Sequence, residues 1–327
     1  MVYYKPKETF GVIETTGITK ASKRIDKLVI LSFLAGVYIS FGGLAALVAG
    51  GRMETVGASF LVYSAVFPVG TLNVKYLFHI IAGAELFTGN TMFLIPPLLK
   101  HRVVILDIGR VWFFSFIFNF AASFLVALVF YNILAGAAGG LLLTTIVSSK
   151  IALPFFTIFF RAIGANWIVN LAILMAYASN EIAGKILAIW FSIFTFVLVG
   201  LEHSIANVFF FAAALFAGGT DITFGVLLWK LVPATLGNIL GGAGFVGVLY
   251  SYIHTVEKTG RQIYPPPTPL LTGEKKHVAP RPMSPIVPTG DVASNSLRSA
   301  ESEPNVLLPS ARPPSPPPVR KRVVPRV

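Results

Sequence analysis

The chain has 327 residues, of which 55% are hydrophobic and only 12% charged, against about 25% charged in a soluble globular domain. That balance excludes an ordinary soluble protein, and the formal charge of +12 is spread over the N-terminus, short loops and the C-terminal stretch rather than one face, which argues against a nucleic-acid binder. With no cysteine, thiol catalysis, disulfides and thiolate metal sites are excluded.

Residues 1–27 are polar, lack the apolar core of a cleaved signal peptide and read as a retained cytoplasmic segment. Six long apolar stretches follow, near 28–50, 56–99, 103–132, 154–178, 186–217 and 224–253, each sufficient to cross about 30 Å of hydrocarbon as a helix. The second is too long for one straight span. It carries Gly83, Glu85, Gly89 and Asn90 at its centre and ends in Pro96-Pro97, while the fifth is interrupted by Gly200, Glu202, His203 and Asn207. Broken helices lining a cavity satisfy such groups, whereas continuous helices would bury them against lipid.

Lys20, Lys23, Arg24, Lys27, Lys100, Arg102, Lys185, Lys258 and Arg261 flank the spans on one side, and mainly Arg52 and Lys150 lie on the other. The positive-inside tendency then places both termini in the cytoplasm, and the plasma membrane is the expected location. Residues 28–256 are read as the transport domain. From 257 to 327 the chain holds most of its 22 prolines, and Arg312 to Pro318 reads RPPSPPP. This is the composition of a disordered tail, with proline-motif-binding proteins as its conceivable partners.

The two interrupted stretches resemble each other. Gly83, Glu85 and Asn90 align with Gly200, Glu202 and Asn207 at a separation of 117 residues, and Asn119 in the third span pairs with Asn238 in the sixth at 119. Three spans per half is an odd number, so duplicated halves insert with opposite topology and meet near the midplane. The expected fold is all-α and membrane-integral: six transmembrane helices in two inverted three-helix repeats, with the second and fifth helices broken.

Among candidate functional residues His203 stands out, an ionisable group beside Glu202 in mid-span. A weak acid that takes up a proton crosses hydrophobic constrictions far more cheaply than its anion, which makes a buried imidazole a proton donor to passing anions. Lys150 is read either as a collector of anions or as an ordinary interfacial lysine. Glu85 and Glu202 are expected to accept hydrogen bonds from free backbone N–H groups where the half-helices begin, with proton relay as the alternative role. Asn90 and Asn207 are expected to bond the broken backbone. For Asn166, pore lining and helix–helix hydrogen bonding are both open. Lys75 and His79, one turn apart, form a minor polar stripe. No phosphate loop, zinc-ligand spacing, nucleophile elbow or dinucleotide fingerprint is present, so no cofactor, metal or enzymatic activity is expected.

The segments ELFTGNT at 85–91, EHSIAN at 202–207, PATLGNILGG at 233–242, GANWIV at 164–169 and KASK at 20–23 resemble the formate–nitrite transporter family, over roughly residues 15–255. The tail beyond the family core suggests a eukaryotic member. The resemblance implies a homopentamer of aquaporin-like protomers, each with its own pore, passing formate, nitrite, lactate or hydrosulfide, often with protons. It makes His203 the central pore histidine and Thr88 its hydrogen-bonding neighbour on the loop interrupting the second helix. It also puts Leu86, Phe87 and Phe196 in apolar constrictions, Asn166 and Asn238 at pore-lining or pore-supporting positions, and Lys150 in the vestibule. One departure is an excess of about five residues between Pro68 and Glu85, enough at 3.6 residues per turn to rotate the helix face. The reading is a proton-linked carrier or channel for nitrite or formate. Its alternatives are lactate or hydrosulfide transport, a neutral-solute channel, for which the expected Asn-Pro-Ala pairs are missing, and a membrane scaffold with a vestigial pore.

Overall fold

A computed structural model describes residues 3–72, 84–134, 138–218 and 221–255. The expectations for Lys75, His79, Gly83, the excess before Glu85 and the proline-rich tail lie outside these residues. Twelve α-helices and one π-helical segment account for the described chain.

The polar N-terminal segment is itself a helix, α1 (Pro6–Ala21), begun by a proline in its first turn and by Glu8, whose carboxylate takes the Lys5 N–H at 2.9 Å. It is not a loose leader. Phe10 and Ile13 are buried against Met92, Phe93, Ile173, Leu174 and Val246, and the Tyr4 N–H bonds the Ala178 carbonyl at 2.7 Å.

The first span is α2 (Ile25–Gly50). The second consists of α3 (Val56–Leu72), then, beyond the undescribed residues, an extended stretch at 84–86, α4 (Phe87–Phe93) and the short α5 (Ile95–Leu99). The third is α6 (Ile105–Leu134). A second helix unforeseen from the sequence, α7 (Ala138–Ile151), precedes the fourth span, α8 (Phe155–Ala178). The fifth is split into α9 (Ile182–Leu198) and α10 (Ser204–Ala217). The sixth runs through α11 (Phe224–Ile239), the π segment (Leu240–Val248) and α12 (Leu249–Thr255). Among the described residues four helices are long and apolar enough to cross a membrane unaided, 25–50, 105–134, 155–178 and 224–254, while the broken spans supply shorter apolar pieces.

Each half therefore holds a surface helix, a continuous span, a broken span and a second continuous span. α1 corresponds to α7, α2 to α8, α3 and α4 to α9 and α10, and α6 to α11–α12. Lys20 pairs with Lys150, Leu31 with Arg161 and Ser32 with Ala162 at one constant separation. The half-helices form the centre: α4 is wholly buried, and α10 is buried from Ser204 to Ala214. Apolar side chains such as Leu106, Phe113, Leu141, Phe156, Phe160 and Trp229 face outward instead, as in a protein whose solvent is lipid.

Candidate transport site

The break in the fifth span follows from backbone chemistry. Gly200 sits at φ +73°, which a side chain would strain, and ends α9 in a left-handed turn with the Leu201 N–H on the Phe196 carbonyl at 3.1 Å. The first free N–H groups of α10 then need acceptors. His203 occupies the N-cap, and its Nδ1 accepts the Ala206 N–H at 3.2 Å. A ring nitrogen that accepts carries no hydrogen, so in the neutral imidazole Nε2 bears it. Nε2 lies 3.0 Å from Thr88 Oγ1. Both residues are buried, and this contact joins the start of α10 to the start of α4. Thr88 stands within the first turn of α4, not on a loop before it, because the helix begins at Phe87.

Each break is held by one asparagine in the same way. Asn119 Oδ1 accepts the Phe87 N–H at 2.8 Å, and its Nδ2 donates to the carbonyls of Glu85 at 3.0 Å and Ser32 at 2.6 Å. Asn238 Oδ1 accepts the Ser204 N–H at 2.8 Å, and its Nδ2 donates to the carbonyls of Glu202 at 3.0 Å and Ala162 at 2.8 Å. Both are fully buried, with both N–H donors and the oxygen of the amide engaged in tying three elements. Asn238 is thus placed as a support of the break.

The two glutamates differ from the expectation. Their neighbouring N–H groups are served by the asparagines, and the carboxylates meet ammonium groups. Lys20 Nζ is 2.6 Å and Lys23 Nζ 3.3 Å from Glu85, and Lys150 Nζ is 2.8 Å from Glu202. A buried carboxylate is costly without such a partner. Lys20, on α1 outside the spans, is held below the ordinary lysine range by burial, against the upward pull of Glu85. Lys150 lies on α7, the counterpart of α1, and is engaged with Glu202 rather than projecting freely into solvent.

The two helix-start asparagines do not bond the broken backbone. Asn207 lies within α10 and donates from Nδ2 to Glu202 Oε2 at 2.6 Å. Asn90, within α4, is buried, with neither side-chain atom partnered among the described residues. On α8, Asn166 donates from Nδ2 towards the carbonyls of Thr88 at 3.1 Å and Asn238 at 2.5 Å and to Thr91 Oγ1 at 3.0 Å, so its helix–helix role is the one realised.

The apolar candidates separate by location. Phe196 lies alongside the His203 ring, centroids 6.1 Å apart, and meets Phe67 edge-on at 6.2 Å. Leu86 is the N-cap of α4, and Phe87 packs edge-on against Phe116 and Trp112 of α6. Sequence reasoning passed over Lys20 as more than a flanking charge, and also Asn170, Thr91 and Trp112. Trp112 donates from Nε1 to the Asn90 carbonyl at 3.1 Å. The signal for Asn170 was present, since a second asparagine one turn after Asn166 in an apolar span requires a partner.

Two inverted halves, two interrupted spans and a cluster of buried asparagine, glutamate and histidine side chains gathered at the breaks define a membrane channel or carrier. The sequence model of the formate/nitrite transporter family matches residues 7–252, and the chain belongs to that family. It is 39% identical over 278 residues to a probable formate transporter of Methanothermobacter thermautotrophicus, covering 78% of this chain and 98% of the relative. It is 35% identical over 229 residues to the nitrite transporter NirC of Escherichia coli, covering 68% and 81%. The fold matches a solved FNT family ion channel with a TM-score of 0.68 at 28% identity, over 75% of this chain and 98% of the other.

Proposed function

We propose that this protein moves small monovalent anions, nitrite or formate, across a membrane through the junction of its two breaks, and that the movement is linked to protons through His203. The observation that carries this reading is the Thr88–His203 contact, which brings a hydroxyl and an imidazole from opposite halves to one buried point. The positive ends of α4 and α10 both start there, an arrangement suited to negative charge.

An anion at this point meets Nε2–H as a donor, yet the apolar groups proposed as constrictions, Leu86, Phe87 and Phe196, offer it no solvation. Conversion to the neutral acid removes most of that penalty. Proton linkage follows when a proton taken up at Nδ1, at the expense of the Ala206 cap, is matched by release of the Nε2 proton to the anion. Lys150 draws anions from its face of the protein, Asn166 and Asn238 support the path, and Glu85 and Glu202 anchor the breaks through their ion pairs, Glu202 with the further bond from Asn207. Asn90 is the remaining polar group of that structural set. The basic flanks support a topology with both termini in the cytoplasm, and the membrane proposed is the plasma membrane. The outward apolar faces of α6, α8 and α11 support assembly, and the resemblance implies a homopentamer.

Vesicles containing the purified protein and an entrapped pH dye test this reading. Nitrite or formate gradients are expected to acidify the interior, with a weaker response to lactate and no glycerol permeation. Glycerol permeation without anion-driven acidification would instead indicate a neutral-solute channel, and silence in every assay a scaffold.

A further inference from the structure

The inverted halves differ at three positions that change together. In the first half α2 carries Gly36 and Ser40 and α6 carries Ser123. Ser40 Oγ donates to the Gly36 carbonyl at 2.7 Å, and Ser123 Oγ to the same carbonyl at 3.3 Å. The positions in register in the second half are Asn166 and Asn170 on α8 and Gly242 in the π segment. Here the side chains reach beyond their own helix. Asn170 Nδ2 donates to the Asn166 carbonyl at 2.8 Å and to the Thr88 carbonyl at 3.3 Å, an oxygen that also takes the Thr91 hydroxyl of its own helix at 2.7 Å and the Asn166 amide at 3.1 Å, so the two amides are its donors from outside α4.

Room for both amides comes from the third position. A Cβ at residue 242 would meet Thr91 Oγ1 first and would fall 2.6 Å from Asn166 Nδ2 and 2.8 Å from Asn170 Nδ2, distances at which the hydroxyl and both amides must move. The exchange is therefore reciprocal: a small residue on α2 faces serine on α6, and two asparagines on α8 face glycine in the sixth span. α4, which receives the amides, has only seven residues and makes few internal hydrogen bonds, so its first turn depends on neighbours for its orientation.

We propose that Asn170, admitted by Gly242, is a positioning residue of the transport site, holding the Thr88 carbonyl so that the Thr88 hydroxyl faces His203 Nε2. The inference rests on the reading above, that this junction is the transport site. Asn170 acts through Thr88 and touches no substrate.

The direct test is Asn170→Ser, which installs the first-half residue. Its hydroxyl retains the bond to the carbonyl four residues back, as Ser40 does, but is too short to reach Thr88. Formate flux in vesicles is expected to fall about fivefold to tenfold, the scale of one lost buried hydrogen bond. The ¹⁵N signals of the His203 ring, assigned by their loss in His203→Ala, are expected to pass from a single Nε2–H state to a mixture. Gly242→Ala, which presses on the same amides and on the Thr91 hydroxyl, should reproduce both effects and serves as the test should Asn170→Ser not fold. Ser40→Ala, which removes only the mirror-related bond, should keep wild-type flux. Wild-type flux and an unchanged His203 spectrum in Asn170→Ser, with flux abolished in His203→Ala, would overturn the inference and leave the transport reading intact. Reduced flux with an unaltered His203 spectrum would also overturn it, as a packing defect. Wild-type flux in His203→Ala would instead remove the transport reading on which the inference stands.

Discussion

Thr88 Oγ1 lies 3.0 Å from His203 Nε2, although 115 residues separate them in the chain. Thr88 is carried by the first turn of α4, with its carbonyl held by amides of α8, and His203 is placed by capping α10. Loosening either half should therefore be felt at the same point.

Asn119→Ala and Asn238→Ala each remove three hydrogen bonds from a buried junction and leave an N–H and two carbonyls without that partner. Each is expected to destabilise the protein by about 2–3 kcal/mol, read by tryptophan fluorescence during unfolding in detergent. Equal losses in the two variants would reflect the mirrored geometry, whereas a cost confined to one would show that the halves are not held alike.

Lys150→Met leaves Glu202, buried and 2% exposed at its side chain, with Asn207 but no counter-charge. Breaking a buried pair from one side costs about 3–5 kcal/mol, so the single variant should lose most stability and Lys150→Met with Glu202→Gln should recover a large part of it. A double-mutant cycle measures this, and strict additivity of the two single effects would rule the coupling out.

Two glycines should respond in opposite directions to alanine. Gly200, at φ +73°, resists a side chain despite open space around it, and Gly200→Ala should cost about 1–2 kcal/mol. Gly11, inside α1 with no atom near its missing Cβ, should gain about 0.5–1 kcal/mol as alanine. Thermal melts of the two proteins decide the sign in each case.

Much of this architecture was legible in the sequence. Polar residues in the middle of apolar stretches can be tolerated only where the backbone breaks, which located Glu202 and His203, and the repeated Gly, Glu and Asn spacing exposed the duplication and the Asn119–Asn238 pair. Other features depend on contacts that spacing along the chain does not report. Lys20 looks like a topological flank until α1 folds back and sets it 2.6 Å from Glu85, 65 residues away. α1 and α7 escaped notice because neither is long or apolar enough to resemble a span; α1 is recognised as a helix through the partners that bury Phe10 and Ile13. The assignment of Thr88 to a loop failed at a helix boundary, where a one-residue difference changes the description but not the contact.

His203→Asn isolates the central claim, because asparagine retains the capping of α10 but removes the imidazole donor facing Thr88. Formate-driven acidification of vesicles, compared between this variant and the native protein at equal reconstitution, is the measurement. The account predicts a correctly folded protein whose proton-linked flux falls by more than about tenfold, the loss of at least 1.4 kcal/mol of stabilisation at the barrier. Native rates of flux and acidification in the same variant would contradict it.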